Sequence, residues 1–206
     1  MTPATKLQEI TRHLHQWSGF HAQWKIDFDC HALRTPDGLV LIDPLQPAPA
    51  VLRQLEQLGS PIAIILTNAN HDRDADWFRK HYNIEIYAHE KAQAECDTRI
   101  DVLVLDGEKL PGGLTALHLP GSAAGELALF TKLDGGIVII GDTLVNSAES
   151  GLALLPDEYL EDRKLTRQSL LKLLDLSFKV AVFAHGPALT DGAKQRITNF
   201  LKKPKR

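Results

Sequence analysis

Ile62-Ala-Ile-Ile-Leu66 is followed directly by Thr67-Asn-Ala-Asn-His-Asp-Arg73. Five apolar residues without a polar interruption read as a strand buried on both faces, and the polar run after it reads as a loop at the strand's end. Asp74 to His81 has helical spacing and Ile84 to Ala88 is apolar again. A strand–loop–helix–strand passage predicts parallel or mixed pairing, because a helical crossover returns the chain in the same direction.

Upstream, Trp24 to Leu33 alternates apolar and polar residues with period two, as a half-buried strand does. Thr35-Pro-Asp-Gly38 is a turn by its chemistry, and Leu39-Val-Leu-Ile42 is a second buried strand ending at Asp43-Pro44. Leu7 to Trp17 reads as a short helix or irregular entry. Ala50 to Leu58 is a helix with Val51, Leu52, Leu55 and Leu58 on one side and Gly59 as its stop. Downstream, Val102–Leu105, Leu114–Leu119, Leu127–Leu133 and Ile137–Ile140 are four short strands separated by turns. Arg163 to Leu174 is helical, Val180 to Phe183 is a last strand, and Asp191 to Leu201 is a closing helix with Asp191 as its N-cap. Neither repeats nor a linker interrupt this pattern, so residues 1–206 read as a single domain.

With 23 basic and 26 acidic residues in 206, the formal charge is −3. Such a balance supplies no global positive field for nucleic acid or an anionic membrane surface. No apolar run is long enough to span a bilayer. Lys6, Glu9, Arg12, His13 and His15 interrupt the place where a secretory signal needs an apolar core, so a cytoplasmic protein is expected. Cys30 and Cys96 read as free thiols. Trp17, Trp24 and Trp77 read as core residues, and His13 and His15 as surface ones. The basic end, Lys202 to Arg206, reads as a solvated tail.

Polar residues follow apolar strands at four places: Asp43, Asn68 through Arg73, Asp142 and His185. Strand ends are where a rigid scaffold hands side chains to a site. Gly121-Ser-Ala-Ala-Gly125 is neither a nucleophile elbow nor a phosphate-binding loop, because the spacing is wrong for the first and no Gly-Lys-Ser/Thr follows for the second.

Five segments resemble the metallo-β-lactamase superfamily, in order and across roughly residues 25–190. Leu33 to Asp43 resembles its opening hairpin, and Thr67 to Arg73 its T-H-x-H-x-D-H loop. Leu119-Pro-Gly-Ser122 resembles its P-G-H, Gly141-Asp-Thr-Leu144 its G-D-T-L/V, and Phe183-Ala-His-Gly-Pro187 its G-H-G-P. The resemblance implies an α+β fold, a four-layer αββα sandwich of two mixed β-sheets flanked by helices. It also implies a degenerate metal site. Asn68, Asn70 and Ser122 stand where three histidines hold the first metal of dinuclear members, and amide or hydroxyl oxygens are poor zinc donors. A dinuclear zinc centre is therefore not expected. Asp72, Asp142 and His185 match the second subsite, and Arg73 replaces its adjacent histidine.

Two functions follow from these matches. In the first, the protein binds a small molecule or anion without hydrolysing it, in a pocket of Asn68, Asn70, Ser122 and Asp43. Here Arg73, with His71 beside it, neutralises Asp72 and Asp142 in place of any cofactor. In the second, Asp72, Asp142 and His185 hold one divalent metal ion, zinc by preference, and the chain hydrolyses an ester, thioester, lactone or amide with Asp72, His71 and Arg73 at the reacting centre. Neither reading involves nucleic acid or membrane, and the sequence leaves the oligomeric state open.

Overall fold

A computed structural model describes residues 1–202. The first sheet runs, in spatial order, through β1 (Gln8–Glu9), β2 (Leu14–His21), β3 (Ile26–Thr35), β4 (Gly38–Ile42), β5 (Pro61–Ile65), β6 (Glu85–His89) and β7 (Val102–Val104). Its first half is antiparallel and β4 to β7 are parallel. The parallel half is connected through α1 (Pro49–Leu58) and α2 (Ala75–Tyr82), the crossover that the opening stretch predicts. In the second sheet β8 (Lys109–Leu110), β9 (Leu114–His118), β10 (Leu127–Thr131) and β11 (Ile137–Ile140) pair antiparallel, and β14 (Val180–Phe183) adds parallel to β11. A small hairpin, β12 (Val145–Ser147) and β13 (Gly151–Ala153), lies between, followed by α3 (Arg163–Ser169); α4 (Ala193–Lys202) closes the described chain.

The strand alternation sorts side chains into three apolar layers. Leu33, Val40, Ile42 and Ile65 of the first sheet meet Leu127, Leu129, Ile137, Ile139, Val180 and Val182 of the second. Leu39, Leu41, Ile64 and Ile86 point the other way and cover Val51, Leu55 and Phe78 of α1 and α2. Ala128, Val138, Ile140, Ala181 and Phe183 likewise pack on Leu170, Leu173, Ile197 and Leu201. The result is the αββα sandwich, with both sheets mixed.

Some local expectations are corrected. Leu14–His21 is a strand, not a helix, because every residue from Leu14 to His21 pairs with β3 in an unbroken antiparallel register. His15 lies in this strand and is buried, while His13, in the bend before it, meets Asp134 at 2.8 Å. Trp17 is core and Trp24 is not: it sits at the β2–β3 tip with 65% of its surface exposed. The 145–161 segment contains the β12–β13 hairpin. Of the basic tail, residues 203–206 lie outside the described residues. No helix among the described residues is long and apolar enough to cross a membrane.

One fold residue makes stability depend on pH. His31 is fully buried in β3, its Nε2 has no partner, and burial depresses its pKa to about 3. The unfolded chain takes up this proton near pH 6.5 and the folded chain does not, so stability falls as the pH drops from about 6.5 toward 3. Each unit within that window is expected to cost about 1.4 kcal/mol. Denaturant midpoints of His31→Phe measured from pH 7 to 4 should fall with a slope about one proton shallower than wild type; equal slopes would refute the assignment.

Candidate metal centre

Parallel pairing of β4 with β5, and of β11 with β14, brings the carboxyl ends of these strands to one edge of the sandwich. Asp43 follows β4, Thr67 to Arg73 follow β5, Asp142 follows β11 and His185 follows β14. A single turn of 3₁₀ helix over Ala69–His71, capped by the Asn68 side chain, turns His71 inward. Its Nε2 lies 3.3 Å from Asp142 Oδ2, and His185 Nε2 lies 3.3 Å from Asp142 Oδ1. Among the described residues these three form a group of ligand-type side chains whose donor atoms all lie within 4.8 Å of one another.

The rings are held from behind. His71 Nδ1 sits 3.0 Å from Asp43 Oδ2 and 2.9 Å from Thr67 Oγ1, and the Asp43 carboxylate also accepts the Thr67 N–H and hydroxyl. His185 Nδ1 donates to the Asp27 carbonyl at 2.8 Å. Both rings thus have Nδ1 engaged and Nε2 turned to Asp142, the orientation that outer-shell partners impose on metal-ligating histidines. Asp142 Oδ2 accepts from Asn68 Nδ2 at 3.2 Å, while its buried Oδ1 has no aligned hydrogen bond.

The charges are tightly linked. Burial opposes charge on His71, but the Asp142 and Asp43 carboxylates outweigh it and lift the ring to about 9. Burial also works against Asp142, yet His71 and His185 hold it well below the usual carboxylate range. Burial and the Asp142 carboxylate push Glu126 up to about 8, against His71 and the hydrogen bonds from Asn68 and Thr143, which favour its charged, accepting form.

The structure does not bring Asp72 to this group. Its Oδ1 accepts the Arg73 N–H at 2.7 Å, and Oδ2 accepts the N–H groups of Asp97 and Thr98. Three backbone donors make it a clamp between two loops, and His71 stands where Asp72 was expected. Nor does Arg73 bridge Asp72 and Asp142. Its Nη1 donates to the carbonyls of Asp29 and Asp43, and the guanidinium lies over the Phe28 ring. Asn68, Asp43 and Ser122 are buried within the protein rather than lining an open polar pocket, and Asn70 is exposed.

Glu126 is the residue that sequence reasoning missed. It precedes β10, which runs antiparallel to β11, so the start of β10 lies at the edge where β11 ends. A single acid wedged between Gly125 and the apolar run Leu127–Phe130 was the available signal.

A sandwich of two mixed sheets that gathers two imidazoles and a carboxylate at its strand ends has the build of the metal-binding αββα proteins. The chain belongs to the metallo-β-lactamase superfamily, whose family model matches residues 8–200. A relative from Mycobacterium leprae (strain TN), the uncharacterized protein ML0493, is 27% identical and aligns with 84% of this chain and 93% of its own length. Among solved structures, the BLEG-1 B3 metallo-β-lactamase superposes with a TM-score of 0.74 at 22% identity, covering 92% of this chain and all of its own. A metallo-β-lactamase from Pontibacter korlensis superposes with a TM-score of 0.77 at 16% identity, covering 97% and 99%.

The residues present fit a single ion. Two ligands at about 2.0–2.1 Å from a tetrahedral zinc stand about 3.3 Å apart, which is the spacing of His71 Nε2 from Asp142 Oδ2 and of His185 Nε2 from Asp142 Oδ1. Asp142 Oδ1 is buried without an aligned hydrogen bond and faces His185 Nε2 at 3.3 Å, a position where a cation would satisfy both.

Proposed function

We propose that this chain is a mononuclear metal-dependent hydrolase acting on a small ester, thioester, lactone or amide, with one divalent ion, zinc by preference, held by His71, Asp142 and His185. The observation that carries the reading is the pair of imidazoles, each anchored through Nδ1, with their Nε2 atoms on opposite oxygens of one buried carboxylate. Three protein ligands with a fourth position left to water are the pattern of a catalytic site rather than a structural one. The chemistry the ion supplies when bound is polarisation of a substrate carbonyl and activation of water near neutral pH.

The protein's own groups do the remainder. Asp43 keeps the His71 Nδ1 proton in place, and the Asp27 carbonyl does so for His185, so both rings present Nε2. Phe28 packs on the His185 ring at 5.2 Å and excludes water from that side. From Phe28 a line of rings runs outward through His21 to the exposed Trp24, giving an apolar wall for a substrate's acyl or ring portion.

The second reading, a ligand-binding protein without hydrolysis, draws support from His71 lying between Asp43 and Asp142 with its pKa lifted to about 9. An imidazolium there serves as the cation itself.

Metal analysis of protein purified without chelators separates the two. The hydrolase reading expects about one equivalent, and EDTA should lower the melting temperature, because an ion bound only by the folded state contributes about 2.7 kcal/mol at a hundred times its Kd. Metal-free protein whose melting ignores both EDTA and added zinc would leave the imidazolium reading standing.

A further inference from the structure

We infer that Glu126 is a positioning residue for the metal centre, acting through the Asn68 amide on Asp142. This inference rests on the metal reading proposed above. Asn68 is completely buried, and its Oδ1 accepts the Asn70 N–H at 2.9 Å, which fixes which end of the amide is which. Nδ2 must therefore face the acids, and it does: it donates to Glu126 Oε2 at 2.9 Å and to Asp142 Oδ2 at 3.2 Å.

Glu126 in turn is surrounded by donors. Oε1 accepts both the N–H and the hydroxyl of Thr143, at 3.1 and 2.9 Å, and Oε2 takes Asn68. Thr143 directly follows Asp142, so Glu126 grips the ligand-bearing turn by its backbone and the ligand's carboxylate by way of an amide. The fit is close: a Cβ added at Gly141 would sit 2.5 Å from Glu126 Oε1.

The chain acceptor–donor–acceptor, from Glu126 through Asn68 to Asp142, occupies Oδ2 on one side and leaves Oδ1 without an aligned partner. Asn68 is thus a built part of the centre, even though it cannot itself be a good ligand. The relay depends on hydrogen-bond polarity, and polarity can be inverted without changing shape. In Glu126→Gln one oxygen becomes an NH₂ group and meets a donor in either orientation: the Thr143 N–H at the Oε1 position, or the Asn68 amide at the Oε2 position, which must then flip and turn an oxygen toward Asp142.

The test is zinc affinity, measured by competition with a chromophoric chelator, together with the visible absorption of cobalt(II)-loaded protein. Glu126→Gln is expected to bind zinc about 10–100-fold more weakly than wild type and to shift the cobalt bands. Asn68→Leu, similar in size and without polar atoms, is expected to lose at least as much affinity, because it also removes the cap of the Ala69–His71 turn, and serves if the first variant fails to fold. Wild-type affinity and cobalt spectra in either variant overturn the relay while leaving the site itself intact. A wild-type protein that takes up neither zinc nor cobalt overturns the metal reading and this inference with it.

Discussion

If the proposed site holds one ion, His71→Ala is expected to reduce bound metal from about one equivalent to near zero, and in any case to destabilise the protein by about 3–5 kcal/mol. Two costs combine. The imidazole supplies one of the three donors within 4.8 Å, and a site cut to a carboxylate and one ring has lost its tetrahedral frame. The Asp43 carboxylate, buried and held low by His71, is also left as a charge without its partner. Thr67 still donates to it, so the loss is partial rather than total. Metal content by mass spectrometry and denaturant unfolding read the two costs separately. Adding Asp43→Asn to the variant should recover part of the stability and none of the metal. A His71→Ala protein that keeps its equivalent of metal would return the ligand role to Asp72.

Gly186→Ala is expected to cost more than about 4 kcal/mol, or to prevent folding, although it adds one methyl group. Gly186 has φ +98°, a conformation that residues with a side chain rarely adopt, and a Cβ there would lie 1.9 Å from the Asn146 carbonyl oxygen. The methyl group has no rotamer and its neighbour is backbone, so no side-chain adjustment relieves the clash. The shift must also pull the Gly186 N–H from Asp29 Oδ2, now 2.8 Å away, and carry His185 with it. Unfolding midpoints and the yield of folded protein measure the effect, and a loss below about 1 kcal/mol would mean that the turn can be rebuilt.

The parts of the fold that were legible before any coordinates were those written in short-range chemistry. Pro36 and Gly38 set the first turn, the unbroken run at 62–66 signalled a strand covered on both sides, and Asp142 and His185 showed themselves by following apolar strands. The β2 strand was hidden because its pattern is completed by its partner: Leu14, Trp17 and the polar His15 and Gln16 are all buried, so no clean alternation survives. The exchange of Asp72 for His71 was hidden for a related reason. Neighbouring residues in a 3₁₀ turn point in very different directions, and which of them faces the centre depends on Asp97 and Thr98, whose N–H groups hold Asp72 from 25 and 26 residues away. Glu126 depended on the antiparallel direction of β10, a long-range property.

Asp29 stitches the two sheets together at this rim. Its N–H donates to the Ala184 carbonyl at 2.9 Å, its carboxylate accepts from Gly186, and its other oxygen takes the Ser18 hydroxyl. His185 lies between the two stitched residues. Although it stands beyond the last hydrogen-bonded residue of β14, it inherits the stiffness of a ladder rather than the looseness of a connecting segment. An ion or substrate at the proposed site would therefore meet an imidazole already in place, with little of the interaction lost to freezing a wandering side chain.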